Sequence, residues 1–222
     1  MEIDILSLFP EYFRGPFDVS ILKRAREKGL IHMHCLDIRE FAEDKHRKVD
    51  DRPYGGGPGM VMMPGSCIKA IRSVKRKDSH VVFLSPQGKV LNAKTCQRLA
   101  EKSHLILLCG HYEGIDQRVI DSEVDEEISI GDYVLTNGCL AAIVLVDTVV
   151  RFIPGVLGNE DAASLDSFQE GIFEGPHYTR PEEFEGLRVP EVLLGGNHKE
   201  IDKWRKQQGL EKTRQVRPEL TE

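Results

Sequence analysis

Long apolar runs are missing from this sequence. None approaches the roughly 18 residues that a membrane-spanning helix needs, so no membrane span is expected. The opening residues Met1, Glu2, Ile3 and Asp4 have no basic stretch among them, so no secretory leader is expected either. No C-x-x-C pair occurs. The five cysteines (Cys35, Cys67, Cys96, Cys109 and Cys139) are odd in number and far apart. That usage fits a reduced cytoplasmic setting with buried thiols and argues against structural zinc. Neither G-x-x-x-x-G-K-[ST] nor G-x-G-x-x-G is present. The glycine run Gly55–Gly59 has no apolar strand leading into it. A nucleotide hydrolase built on a phosphate loop is thereby disfavoured.

What is there suits a globular protein: 40% hydrophobic and 30% charged residues in a chain of 222. That length holds one large domain, or one of about 150 residues with a smaller companion. The net charge of −6 at first argues against a nucleic-acid partner. Its distribution weakens the objection. Between Gly110 and Asp132 eight acids face the single base Arg118, so the rest of the chain is close to neutral. Basic clusters remain at Lys69–Lys77 and Lys199–Arg217, and local potential steers an anionic partner better than the average does. The acidic segment Asp121–Glu127 lacks glycines at calcium-loop spacing and reads as a solvated connection rather than a metal site.

Apolar periodicity predicts strands over 3–9, 30–38, 80–84 and 105–109, another near 127–130, and helices over about 17–28, 66–77, 92–100 and 140–150. Asn92 is placed to cap its helix, and Asn197 with Glu200 has capping-box spacing. The polar, glycine-rich stretch 39–59 is expected to be a long surface loop. Leu105–Cys109 is continuously apolar, as in a strand covered on both faces of a parallel sheet. The alternation implies an α/β domain with a mostly parallel sheet over 1–154. A linker is expected over 155–165 and a small, mostly helical domain over 166–222.

Ligands of parallel α/β sheets bind beyond the carboxyl ends of the strands. Three such ends carry unusual loops: Ser85–Gly88, Gly110–Gly114 and Ser129–Gly138. Their glycines allow close backbone approach, so together they suit a flat polar ligand such as an adenine ring. Each alone reads more readily as a plain turn.

Several strings then carry a resemblance: VDDRPYGGGPGM (49–60), LSPQG (84–88), CGHYEGID (109–116), SIGDYVLT (129–136), RFIPGVLGNE (151–160), LDSFQEG (165–171), PHYTRP (176–181) and VPEVLLGGNHKEI (189–201). In order and spacing they resemble the bacterial tRNA (guanine-37-N1)-methyltransferases of the trefoil-knotted SPOUT class, almost to Leu220. The resemblance implies a trefoil knot at the end of the α/β domain, a homodimer with sites shared between subunits, and S-adenosyl-L-methionine as methyl donor. It also allows for Mg²⁺. Pro86, Gly110, Glu113, Ile130, Gly131, Asp132, Tyr133, Val134, Leu135 and Gly138 match its cofactor positions or stand beside them. Asp166 matches its general base and Arg151 the assisting arginine. His177, Tyr178 and Arg180 fall in the segment on the RNA side. Three positions depart from the pattern: His111 replaces the usual arginine, Asn137 the usual glycine and Cys139 a common glutamate.

The chemistry explains these residue types. Guanine N1 carries a proton, so a base must remove it as the N–C bond forms. Charge then develops on O6, where a guanidinium is suited to stabilise it. From the residues alone, Asp166 reads as a helix N-cap and Arg151 as a cation at a helix C-terminus. A non-catalytic RNA-binding relative with the same fold is the alternative function.

Overall fold

The computed structural model describes residues 1–159, 163 and 166–221. The chain divides into two compact units, Met1–Gly158 and Asn159–Glu222. Of the expected linker, residues 160–162, 164 and 165 lie outside the described residues.

The first unit is built on strands β1 (Glu2–Ser7), β2 (His32–Asp37), β5 (Ser79–Val90), β6 (His104–Cys109) and β7 (Glu126–Ser129). They form one sheet in the order β2-β1-β6-β5-β7, with every pairing parallel. Alternation along the strands serves two cores. Ile3, Ile5, Val82, Leu84, Leu105 and Leu107 pack with helices α1 (Ser20–Glu27), α3 (Ala93–Ala100) and α5 (Cys139–Val150). Leu6, Val81, Phe83, Ile106 and Leu108 pack with α2 (Pro64–Val74) and α4 (Gln117–Glu123). Strand β6 is therefore buried along its whole length, as its unbroken apolar run requires. Strand β2 lies at the sheet's edge, and its Cys35 is the exposed member of an otherwise buried set of cysteines.

Three local expectations are corrected. Ser85–Gly88 does not end its strand but interrupts it. β5 pairs with β7 through Leu84, which lies opposite Ile128, and resumes at Lys89 opposite that same residue. The return is tight: a Cβ at Gly88 would stand 2.5 Å from the Ile128 nitrogen. The stretch after Asp37 is not loop throughout, because Asp50–Asp51 (β3) pairs with Val61–Met62 (β4) and buries Val49. The acidic connection is not merely solvated. The Glu123 carboxylate is buried and held by Arg72 at 2.6 Å and Lys75 at 3.0 Å, while Asp125 accepts the Val81 amide at 2.7 Å.

Burial alone would raise the Glu123 pKa, but the Lys75 and Arg72 hydrogen bonds outweigh it and hold the carboxyl below its ordinary 4.5. A folded-state pKa below the unfolded one gives stability that is present above pH 4.5 and lost as pH falls through the folded value. Glu123→Gln should therefore cost about 1.5–3 kcal/mol at neutral pH. Denaturant melts should show that difference shrinking below pH 4. A gap that stays constant with pH would remove the charge from the account.

The second unit carries a short antiparallel pair, β8 (Glu183–Phe184) with β9 (Leu187–Arg188), and the long helix α6 (His198–Val216). Asn197 stands at the N-cap of α6 but makes no side-chain capping bond, whereas Asn92 caps α3 by accepting from the Thr95 amide at 2.9 Å. Two glycines let chain segments meet backbone to backbone in this unit. A Cβ at Gly175 would fall 2.8 Å from the Arg205 Cα, and one at Gly209 would fall 3.2 Å from the Phe173 carbonyl carbon.

Candidate active site

Beyond the carboxyl ends of β6 and β7, and at the interruption of β5, the three loops line one cleft of about 300 Å³. Its wall includes Pro86, Gly110, Glu113, Ile130, Gly131, Tyr133, Val134, Leu135 and Gly138. Asp132 is not part of it. Phe83, Ile115, Ile128 and Ile120 add apolar surface, Gln87, Ser129 and Thr136 add polar groups that sequence reasoning did not single out, and Asn137 stands beside them.

Two of the loops are joined through backbone. The Gly138 amide donates to the Gly110 carbonyl at 2.8 Å. A Cβ at Gly138 would stand 2.9 Å from the Gly110 nitrogen, so only glycine lets the two loops close. Ser129 accepts the Gly131 amide at 3.1 Å and donates to the Gly131 carbonyl at 2.9 Å, pinning the turn in which Gly131 takes φ +151°. Asn137, in the place of a usual glycine, does not adopt positive φ. Its Oδ1 accepts the Cys139 amide at 2.8 Å and starts α5. Cys139 is buried with its Sγ 3.1 Å from the Ser7 hydroxyl.

The glycine run has its use here. The Glu113 amide donates to the Met60 carbonyl at 2.9 Å, and the Met62 amide donates to the Gly114 carbonyl at 2.9 Å. A Cβ at Gly59 would come 2.8 Å from the Glu113 carboxyl carbon. Residues 59–62 thus form a strap that fixes the loop bearing Glu113. Nothing in the spacing of the run announces this partner, which lies some fifty residues further along.

Arg151 follows the last turn of α5 at its C-cap, half-buried. In the second unit Asp166 lines a hollow of about 400 Å³ with Gln169, Phe173, Arg205 and Lys206. An adjoining hollow of about 490 Å³ takes in His177, Tyr178, Arg180 and Arg205. His177 and Arg205 line both.

With that geometry in place, comparison with known proteins is informative. The family model described as tRNA (Guanine-1)-methyltransferase TrmD matches residues 1–222. The chain belongs to that family. It is 66% identical over 220 residues to a Protochlamydia amoebophila protein named tRNA (guanine-N(1)-)-methyltransferase, covering 99% of each chain. A relative of the same name from Chlamydia trachomatis serovar D is 60% identical, with 99% of this chain aligned to 62% of that longer one. A third, from Dictyoglomus turgidum, is 55% identical over 222 residues, which is all of this chain and 90% of the relative. Membership in the tRNA (guanine-1)-methyltransferase family spans both units, so the cleft and the two hollows all lie within the matched region.

Proposed function

We propose that this protein is a cytoplasmic enzyme that transfers a methyl group from S-adenosyl-L-methionine to N1 of guanine 37 in the tRNA anticodon loop. The observation that carries the reading is that the three loops line one cleft, two of them joined by the Gly138–Gly110 backbone hydrogen bond. Its apolar walls suit the faces of an adenine. The nearby backbone N–H and C=O groups suit its edge. When bound, the donor supplies an electrophilic methyl group on a sulfonium. Everything else falls to the protein's own residues. Asp166 accepts the N1 proton of guanine, and Arg151 offers its guanidinium to the charge that gathers on O6. Among the described residues no group of three or more histidine, cysteine, aspartate or glutamate side chains gathers to hold a metal ion.

The target base lies in a loop, so its Watson–Crick edge can be presented to a pocket. His177, Tyr178 and Arg180 face the RNA in this reading. Basic residues around the end of α2 and on α6, in the patches near Lys75 and Arg205, hold phosphates in a salt-dependent way. Transfer of labelled methyl to a tRNA with guanine at position 37, and not to the same tRNA with adenine there, is the test. No transfer to either would remove the function.

The trefoil knot and the shared-site homodimer belong to the same proposal. The tight return of Gly88 against Glu127 and Ile128 supports a crossing of chain at that point. Helix α5 supports the dimer: apart from Asp147 and Thr148 it is apolar, burying Ala142, Leu145, Val146 and Val149 while leaving Leu140 and Val144 exposed one turn apart. Changing Leu140 and Val144 together to aspartate should yield a monomer by sedimentation and lower turnover at least about tenfold, as expected of a site completed by a partner. A fully active monomer would sink the shared site.

A further inference from the structure

His111 is held in the cleft by packing rather than by hydrogen bonds. Its ring stands edge-on to Phe9, with centroids 5.1 Å apart, and to Tyr112 at 4.6 Å. Nδ1 is shut off from solvent and has no hydrogen-bond partner. Burial, and after it the Arg39 cation, lower the imidazole pKa from its ordinary 6.5, against an opposing pull from Asp50. The charged ring would carry hydrogen on both nitrogens, and a buried N–H at Nδ1 would meet no acceptor. The neutral ring with its hydrogen on Nε2 leaves only a lone pair there. The tautomer follows from this accounting of hydrogen bonds. Since the same ring lines the cleft, Nε2–H is the polar edge it has left for a ligand.

We infer that His111 is a contact residue for the methyl donor, its Nε2–H donating to the carboxylate at the donor's amino-acid end. This rests on the donor-binding reading above. The complementarity is specific. Loop 110–114 presents one neutral donor, His111, and one acid, Glu113, to the same cleft. An α-amino acid group presents one acceptor-only carboxylate and one ammonium. A neutral donor also greets the carboxylate without setting a second cation beside the sulfonium.

Calorimetric titration tests this with three probes: S-adenosyl-L-methionine, its decarboxylated analogue, and 5′-methylthioadenosine, which lacks the amino-acid end. His111→Phe keeps a ring between Phe9 and Tyr112 but removes both nitrogens, and His111→Gln returns an N–H near the Nε2 position. The Phe variant should bind the full donor about tenfold more weakly. It should bind the other two within about twofold of the parent, and Gln should recover most of the loss. Equal weakening towards all three probes would reduce His111 to wall packing and overturn the inference. So would unchanged donor affinity with a raised KM for tRNA, which would give the acceptor to the RNA. If the unaltered protein bound none of the three, the donor-binding reading itself would fail, a result distinct from either.

Discussion

Replacing Asp166 by alanine should lower methyl transfer by about 10²–10⁴-fold while donor affinity stays within about twofold of the parent. The expected split follows from where the groups lie in the chain. Every residue lining the donor cleft falls between Phe83 and Gly138, in the first unit, and Asp166 belongs to the second. Removing its carboxylate therefore takes away the base without touching the walls that receive the donor. Asp166→Asn makes the contrast sharper, because it keeps the shape and loses only the ability to take a proton. Single-turnover transfer with saturating tRNA, set beside calorimetric donor binding, reads both quantities. An alanine variant with full single-turnover rate would end the assignment of Asp166 as base. A variant that lost donor affinity in proportion would recast the residue as structural.

A second large effect is expected from one methyl group at Gly88. Its position is set by the strand that resumes after Ser85–Gly88, where a Cβ would meet Glu127 and Ile128 backbone rather than a side chain that can swing away. Backbone cannot yield locally without moving β7, and overpacking of this kind costs about 1–3 kcal/mol or more. Gly88→Ala should lower the denaturation midpoint accordingly and weaken donor binding, since Ser129–Gly131 leads directly from the displaced strand. Gly65, in the first turn of α2, makes a fair control: nothing stands within 4 Å of its would-be Cβ. Gly65→Ala should be neutral or gain about 0.4–1 kcal/mol. Similar melts for the two variants would mean that the crossing at Gly88 is looser than its geometry states.

The comparison of expectation with structure turns on the range over which each signal acts. Strand β6 was legible because the five successive apolar residues Leu105–Cys109 have few other uses, and Asn92 because a cap bonds three residues away. The fate of Ser85–Gly88 was not legible. A proline and a glycine in that order signal a turn locally, and only the pairing of Lys89 and Val90 with β7 keeps the strand going. Glu123 misled for a similar reason: a run of acids reads as solvated until Arg72 and Lys75, some fifty residues earlier in the chain, are brought to it.

The chemistry-bearing loops were read together as suited to a flat polar ligand, and family resemblance then named the donor. What tied them physically appeared only in three dimensions, as the Gly138–Gly110 bond and the strap from Gly59 to Met62 that fixes Glu113. His111 shows the limit most clearly. Its identity was visible as a departure from an arginine, but its lowered pKa comes from burial and the Arg39 cation, and its ring packing from Phe9 and Tyr112. By itself the sequence determined the alternation of elements, the parallel sheet, the loops at its carboxyl ends and the family. The tertiary structure decided register, loop-to-loop closure and the electrostatic setting of each polar group. The reason is that periodicity and capping are local, whereas desolvation and backbone contact depend on partners that the linear order does not name.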